Sequence, residues 1–391
     1  MKEIIKRYLT SESVTEGHPD KVCDKIADTI LDAYLMQDKN AHVACEVVAT
    51  TNFVLVMGEV TAKAHNIDIE KIVRNTVAEI GYNDKELGFN ASDLEVEVRL
   101  NQQSPDIAMG VGDDEGAGDQ GMMFGFASNE TIELMPAPII YSHKLTKRLA
   151  DLRKNHIVSF LRPDGKAQVT AEYENDVLKR IDNVVVSTQH DKTISTEDLR
   201  KFVKEEVIEK VIPANLLDEN TKYFINPTGR FVIGGPTGDS GLTGRKIIVD
   251  TYGSACHNGG GAFSGKDPSK VDRSAAYACR YIAKNLVASG IINKVEVGMS
   301  YAIGVAEPTS IMIETFGKDF KYNLSKADVV SMIRSIFYTK PKEIIEKLHL
   351  REPIYASTTN YGHFGRSGFS WEETDKVKDI LNYIEKINKN I

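Results

Sequence analysis

Cationic side chains lie in two glycine-rich stretches of the chain. The first stretch, residues 226–246, reads NPTGRFVIGGPTGDSGLTGRK and ends in Arg245 and Lys246. Glycine lets backbone N–H groups approach an anion, while arginine forks two phosphate oxygens and lysine acts as a point charge. Asp239 could orient a hydroxyl or an amine of the same ligand. Tight turns between strands would explain the glycines but not the Arg-Lys pair, so the stretch favours phosphate binding.

The second stretch, residues 257–272, reads HNGGGAFSGKDPSKVD and places Lys266, Lys270 and Asp272 around Pro268. Because proline is common in the first turn of a helix, the stretch predicts a helix start, and helix N-termini attract anions. Lysines at this positive end are unfavourable unless an anion compensates them. Asp272 could hold a Mg²⁺ that carries phosphates, since Mg²⁺ usually takes one or two protein carboxylates.

A third cluster, SESVTEGHPDK at 11–21, brings His18, Asp20 and Lys21 together where a helix is predicted to begin. Asp20 as a simple helix cap is the alternative. The combination of a histidine, a carboxylate suited to Mg²⁺ and a lysine favours a functional site. Further along, Asp164 and Lys166 alternate on a predicted extended segment and so could face the same side.

Composition excludes several classes of protein. The 391 residues are 41% hydrophobic and 27% charged, which is typical of a globular chain of two or three units. A net charge of −8 gives no general attraction to nucleic acid or an anionic membrane. No apolar run is long enough for a membrane span or a signal peptide, and the four cysteines have no zinc-site spacing. A cytoplasmic protein with buried, reduced thiols is expected.

The elements that must position these residues follow one order three times. Each time, a leading helix precedes two strands and a second helix. In the first two of the three repeats, a closing strand is predicted after the second helix. The helices are predicted at 19–38, 68–80, 142–154, 196–211, 268–289 and 325–338, and the strands at 42–50, 53–60, 94–100, 167–174, 181–187, 222–226, 295–305 and 309–316. The leading helices start about 125 residues apart, which favours three similar α+β subdomains. A chance recurrence of this common order is the alternative.

Residues 110–125 contain six glycines and several carboxylates. This composition disfavours helix and strand interiors, so the segment is predicted to be a mobile loop. Long loops of this kind often serve as lids over a site. A plain surface loop is the alternative.

Taken together, four motifs resemble those of the bacterial S-adenosylmethionine synthetase (methionine adenosyltransferase) family. They are GHPDK at 17–21, GAGDQG at 116–121, residues 224–253 and residues 259–277, and the resemblance runs from about Ser11 to about Lys376. It implies an α+β fold of three similar subdomains in a pseudo-threefold arrangement. We expect an N-terminal subdomain at 1–101, a lid loop at 102–121, a central subdomain at 122–235 and a C-terminal subdomain at 236–391.

The resemblance also implies an activity and an assembly. Methionine sulfur would attack C5′ of ATP in line and displace triphosphate, which the same site would hydrolyse to pyrophosphate and phosphate. Two Mg²⁺ ions per site and one K⁺ per subunit would take part. The expected assembly is a homotetramer of two dimers, with each active site at a dimer interface.

Residue roles follow from the resemblance in the same way. His18 would stabilise the departing triphosphate, and the phosphate-gripping residues would be Lys166, Arg245, Lys246 and Lys266. The other ATP-binding residues would be Asp164, Arg230, Phe231, Asp239 and Ala262, with Phe231 stacked on adenine. The methionine-binding residues would be Glu59, Gln103, Asp119, Asp239 and Lys270. Asp20 and Asp272 would bind Mg²⁺, and Glu46 would bind K⁺.

Three departures from the family pattern stand out. Asn258 occupies a position where members usually have histidine, and Met109 replaces a common glutamine. The loop at 110–116 is also shorter than in the enterobacterial pattern. We expect these changes to affect lid kinetics or product inhibition rather than the class of reaction.

Two other functions stay open. Gly260 to Lys266 fits the G-x-x-x-x-G-K phosphate loop of NTPases, which would transfer a γ-phosphate without methionine. Against it, Asp267 replaces the expected Ser or Thr, and a predicted strand at 247–249 ends about ten residues too early. The third candidate is a non-catalytic nucleotide-binding subunit, which would be expected to lack some of the charged residues that this chain retains.

Overall fold

The computed structural model, which describes residues 5–102 and 116–389, contains three sheets that pack against long helices. The two four-stranded sheets are mixed, and the three-stranded sheet is antiparallel. The strands are β1 (Lys6–Val14), β2 (His42–Thr50), β3 (Phe53–Thr61), β4 (Glu95–Asn101), β5 (Gly121–Ser128), β6 (Leu161–Glu174), β7 (Val177–His190), β8 (Lys222–Ile225), β9 (Gly241–Leu242), β10 (Lys294–Tyr301) and β11 (Ser310–Glu314). Among the described helices, none is both long enough and apolar enough to cross a membrane.

The helices alternate with these strands along the chain. They are α1 (Pro19–Gln37), α2 (Ile69–Ile80), α3 (Ala137–Lys154), α4 (Thr196–Phe202), α5 (Ile247–Asp250), α6 (Val271–Ala288), α7 (Lys326–Ile336), α8 (Pro341–Lys347) and α9 (Val377–Lys389). A π-helical turn at Val203–Ile208 prolongs α4. The leading helix of each repeat packs against sheet strands: α1 on β2, α3 on β6, and α6 on β5 and β10.

The three sheets are linked by a cyclic exchange of strands. Their orders are β4-β3-β2-β9, β1-β6-β7-β8 and β11-β10-β5. In each sheet a hairpin from one repeat pairs with a strand that precedes the leading helix of another repeat: β9 with β2, β1 with β6, and β5 with β10. The expected α+β fold of three similar units is confirmed, whereas the proposed division of the chain stays a prediction. No sheet is built from one segment alone.

Most predicted helices and strands are confirmed, with three differences that have physical causes. The apolar residues at 247–249 form helix α5 rather than a strand, and only its last residues, Val249 and Asp250, are buried. Helix α6 begins at Val271 rather than at Pro268, because Asp267 accepts the amide of Ser269 and so forms a turn before the helix. The predicted loop at 110–125 gives way to strand β5 at Gly121.

Glycine in β5 serves close packing rather than flexibility. A Cβ at Gly125 would lie 2.0 Å from the carbonyl carbon of Cys279 in α6, so this strand approaches the helix backbone directly. The sequence pattern also missed β1, whose polar residues show little apolar alternation, and the two-residue strand β9. Residues 103–115, which contain most of the predicted lid, lie outside the described residues.

A row of four aspartates along α1 binds the C-terminal part of the chain. Residues four apart lie on one face of a helix, and this face presents Asp20, Asp24, Asp28 and Asp32. They accept backbone N–H groups of Leu242 at 3.0 Å, Gly244 at 2.9 Å, Gly265 at 2.8 Å and Tyr355 at 2.9 Å, in that order. We call this row the aspartate ladder; it fixes both glycine-rich stretches relative to α1.

Buried cations neutralise the middle of the aspartate ladder. Arg273 of α6 forks both Asp28 oxygens at 2.7 and 2.8 Å, and both side chains are fully buried. Lys21 lies between Asp24, at 3.0 Å, and Asp250. Burial opposes the charge on Lys21, but Asp250 and Asp24 raise its pKa above the ordinary value. Helix α1 is thereby joined to α5 and α6 by charge as well as by apolar packing.

The four cysteines are free thiols in the described structure. Cys23, Cys45 and Cys279 are buried, while Cys256 is half-buried. Burial raises the pKa of all four thiols, which keeps them protonated and unreactive. The expectation of buried thiols is thus confirmed for three of the four.

Breaking the Asp28–Arg273 pair should destabilise the whole fold. In Asp28→Asn the Arg273 charge stays buried without compensation, which costs about 3–5 kcal/mol. The matched control is Lys39→Ala, which removes the exposed pair with Glu352 and should cost about 0.5 kcal/mol or less. Thermal denaturation at one protein concentration measures both. Equal losses in the two variants would contradict a dominant role for the buried pair.

Candidate functional site

The first cluster of charged residues lies where β1 leads into α1. We define the His18 cluster as His18, Asp20, Lys166, Arg245 and Lys246. Lys246 Nζ lies 2.9 Å from Asp20 Oδ2, and Arg245 Nε lies 3.6 Å from Asp20 Oδ1. Lys166 is brought alongside by the pairing of β6 with β1, in which it stands opposite Val14. The fold thus places Arg245 and Lys246 at the Asp20 carboxylate, and Lys166 close enough to His18 to act on its charge.

His18, rather than Asp20, caps helix α1. Its Nδ1 accepts the backbone N–H of Asp20 at 3.2 Å, so the cap interpretation of Asp20 is wrong. Burial, with the nearby Lys246 and Lys166 charges, lowers the pKa of His18 to about 3. Burial alone would raise the pKa of Asp20, but hydrogen bonds from Lys246 and the Leu242 amide hold it below its ordinary value. In the ligand-free protein the cluster therefore holds a neutral histidine beside an ionised aspartate.

A buried carboxyl group, that of Asp164, lies near Lys166 of the His18 cluster. Asp164 is buried at the start of β6 and accepts the Gly235 N–H at 2.8 Å, and burial raises its pKa to about 6. Lys166, two residues on, is exposed. Phe231 is half-buried, and its backbone N–H donates to His190 Nε2 at 3.0 Å. The exposed Lys166 therefore has a buried carboxyl group beside it.

The second cluster lies at the outward face of β2 and the start of α6. We define the Lys266 cluster as Glu46, Glu59, Lys266 and Asp272. Lys266 Nζ pairs with Asp272 Oδ2 at 2.6 Å, and the Lys266 backbone bridges Ala44 of β2. Glu59 of β3 stands opposite the same Ala44, and Glu46 follows two residues later on the same face. The cluster is thus a patch of both charges on one sheet face.

Close backbone approach shapes the pocket around Asp272. A Cβ at Gly261 would lie 2.5 Å from the Asp272 carboxyl carbon, so any larger residue there would displace the Asp272 side chain. Asn258 Oδ1 accepts the Gly260 N–H at 2.7 Å, which fixes the glycine run in front of α6. This departure from the family pattern therefore has a local structural role. Ala262 lies against Gly244, which connects this loop to the first glycine-rich stretch.

Other predicted site residues are more peripheral. Lys270 pairs with Asp267 at 2.5 Å, while Arg230, Asp239 and Asp119 are exposed. Gln103 and Met109 lie outside the described residues. No comparison tests these residue roles, so they stay predictions.

Sequence reasoning missed the residues that hold the site in place. Asp24 and Asp250 form ion pairs with Lys21. The Tyr82 hydroxyl donates to the Gly17 carbonyl at 2.5 Å. The four-residue spacing of aspartates in α1 was a usable signal. Asp250 and Tyr82 gave none, because their partners are far away along the chain.

The phosphate-loop interpretation does not fit the geometry. Helix α5, not a strand, precedes Gly260, and the next helix begins only at Val271. Asp267, which follows Lys266, is buried and accepts the Val43 N–H at 2.7 Å. A phosphate loop needs a strand that runs into the glycines and a helix that follows at once.

Comparisons with known proteins agree with the fold. Family models for the N-terminal, central and C-terminal domains of S-adenosylmethionine synthetase match residues 6–105, 114–231 and 233–373. An S-adenosylmethionine synthase of Finegoldia magna is 55% identical over 96% of this chain and 99% of its own length. Those of Clostridium botulinum and Clostridium tetani are 55% and 54% identical, over 97% of this chain and 100% of their own.

The chain belongs to the S-adenosylmethionine synthetase family. It is accordingly a methionine adenosyltransferase, an enzyme that forms S-adenosylmethionine from ATP and methionine.

Asp164 should make stability depend on pH. Its pKa of about 6 exceeds the ordinary 3.8, so the folded protein binds this proton more tightly than the unfolded chain does. The resulting stability is fully present below about pH 4 and is lost as the pH rises through about 6. The melting temperature of wild type minus that of Asp164→Asn should therefore be larger at pH 4.5 than at pH 7.0. The exposed control Asp319→Asn should show no such difference; an equal difference for Asp164→Asn at both pH values would refute the argument.

Proposed function

We propose that the two clusters together catalyse in-line attack of methionine sulfur on ATP C5′, followed by hydrolysis of the released triphosphate to pyrophosphate and phosphate. The observation that carries this proposal is a pair of lysine–carboxylate contacts, Lys246–Asp20 and Lys266–Asp272, each next to a glycine-rich stretch. A bound triphosphate can replace the two carboxylates as the partner of these lysines. The carboxylates are then free to bind the metal ions that accompany the phosphates.

The residue types suit this chemistry. Sulfur is already a competent nucleophile, so the barrier lies in alignment and in the charge that develops on triphosphate. Lys166, Arg245, Lys246 and Lys266 supply fixed positive charge without a general base. His18 is neutral partly because of Lys246 and Lys166, and a bound polyphosphate would oppose their effect. His18 would then donate to the departing oxygen, while Phe231 and Asp164 receive the nucleoside.

The carboxylates fit magnesium that arrives with its substrate. No group of three or more metal-ligating side chains occurs in the described ranges. Mg²⁺ usually binds through one or two protein carboxylates together with substrate phosphates, and so does not need such a group. Asp20 and Asp272 would each hold one such ion, which neutralises charge on the phosphates when bound. Glu46, on the exposed sheet face, would contribute to a K⁺ site. A cytoplasmic location is part of the same proposal.

A second copy of the chain would complete each site. The outward faces of two sheets carry exposed Met57, Met122 and Met312, and Glu46, Glu59 and Lys266 lie on the Met57 face. Exposed apolar side chains on a sheet face are typical of interfaces. We propose a dimer through these faces in which the His18 cluster of one subunit meets the Lys266 cluster of the other. Two dimers form a homotetramer.

A mass-resolved product assay tests the reaction. With ATP, methionine, Mg²⁺ and K⁺, S-adenosylmethionine should appear with equal amounts of pyrophosphate and phosphate. Lys246→Ala should lower kcat by about 100-fold, since it removes one fixed charge from the transition state. Lys39→Ala is the control and should match wild type. Phosphate released equally well without methionine would overturn the proposal and favour an NTPase. Bound ATP without any product would also overturn it and favour a regulatory subunit.

Subunit complementation tests the shared site. Lys246→Ala and Lys266→Ala each damage one cluster, so each variant alone should be nearly inactive. When the two variant subunits pair at random, half of the dimers contain one subunit of each kind. One of the two sites in such a dimer has both lysines and the other has neither. A quarter of all sites are then intact, so activity should return to about a quarter of wild type. Mixed assembly is obtained by co-expression, with differently tagged subunits. Recovery no greater than the single variants would place both clusters in one subunit.

A further inference from the structure

An open cavity of about 930 Å³ lies away from both clusters. Its walls come from the start of α3, from α6 and from the loop at 357–373. This volume lies within the range of small-molecule sites, about 300–1,000 Å³. The described walls combine apolar side chains, such as Ile140 and Phe369, with four cations and with the carboxylates of Glu133, Glu372 and Glu373. Neither the reaction nor the family comparisons give this cavity a role.

Arg366 is the unusual cation of the cavity. The other cations are already paired: Lys144 with Glu133 at 2.7 Å, Lys147 with Asp151 at 2.6 Å and Lys284 with Glu372 at 2.8 Å. No carboxylate of the described residues lies within 4.0 Å of the Arg366 guanidinium. Its Nε is buried and has no hydrogen-bond partner in the described part of the chain. A guanidinium in this state lacks the anion that it would normally bind.

The surroundings of Arg366 are preorganised. Its Nη2 donates to the Ser357 carbonyl at 2.7 Å, and its Cζ lies 5.1 Å from the centre of the Phe369 ring. His143, also in the cavity wall, is buried, and its Nε2 has no partner among the described residues. Burial, with the nearby Arg366 charge, lowers the pKa of His143 to about 3. His143 is therefore neutral, and Arg366 does not face a second positive charge there. Burial also lowers the pKa of Arg366, which an anion would reverse.

We propose that this cavity binds a small organic anion, with a carboxylate or phosphate group on Arg366 and an apolar body against Phe369 and Ile140. The anion supplies the charge and the acceptor that Arg366 lacks. The apolar wall selects a ligand larger than an inorganic ion. The site is separate from the proposed catalytic function and stands without it.

The cavity is connected to the catalytic segment. Tyr361, in its wall, donates to Glu16 Oε1 at 3.2 Å, two residues before His18. In the same loop the His363 N–H donates to the Asp250 carbonyl at 3.0 Å, and Asp250 carries Lys21. A ligand bound against this loop is therefore connected through these hydrogen bonds to the segment at the start of α1.

Trp371 gives a direct readout of binding. It is the one tryptophan of the chain and stacks on Phe369, with ring centres 4.7 Å apart. Phenyl phosphate and benzoate serve as probes, and neutral benzyl alcohol serves as the control. Both anions should change tryptophan emission in a saturable way, in wild type and in Lys166→Ala alike. Loss of the response in Lys166→Ala would assign it to the catalytic cluster and overturn the proposal.

Variants of Arg366 complete the test. Arg366→Gln should weaken binding of both anions at least about tenfold, as expected when a charge-assisted hydrogen bond is lost. Arg351→Gln, the control with the same loss of charge outside the cavity, should bind as wild type does. An unchanged response in Arg366→Gln, or the same response to benzyl alcohol, would overturn the proposal. If Arg366→Gln does not fold, anomalous density from 4-iodobenzoate soaked into wild-type crystals decides, since density at Arg366 supports the site and its absence there refutes it.

Discussion

The aspartate ladder of α1 is the interaction on which the remaining structure depends. Four carboxylates spaced one turn apart accept backbone N–H groups from three separate loops of the C-terminal part. Two rungs, Asp24 and Asp28, are fully buried and are compensated by Lys21 and Arg273. Because an uncompensated buried carboxylate is very costly, these loops have little freedom to move away. The first rung, Asp20, opens directly into the His18 cluster, so the scaffold and the site share one helix face.

The charges of the proposed site compensate one another before any substrate arrives. Two of the lysines that would grip phosphate, Lys246 and Lys266, each pair with a carboxylate that would bind Mg²⁺. Binding of ATP with its metal ions can therefore exchange partners without burying a new uncompensated charge. His18 is neutral in the ligand-free protein because its burial, together with the neighbouring lysine charges, lowers the pKa of the ring.

The cyclic exchange of strands explains how distant residues meet. Strand β1 pairs with β6 and so carries the start of α1 to Lys166, while β9 pairs with β2 and brings Lys246 towards Asp20. Without this exchange the three repeats would be separate units with their charged residues apart. The outward sheet faces, with exposed methionines, remain for association between subunits, which is the basis of the proposed shared site.

The order of amino acids alone was enough to predict the repeating helices and strands, the cationic glycine-rich stretches and, through the motifs, the family. Local periodicity and local composition carry this information. Only the tertiary structure showed the strand exchange, the part of Asp250 in holding Lys21, and the lack of a carboxylate partner for Arg366 among the residues that the structure describes. It also turned the apolar residues at 247–249 into a helix and the glycines at 121–125 into a strand. These outcomes depend on partners far apart in the chain, and no local pattern records which buried charge or backbone a residue will meet.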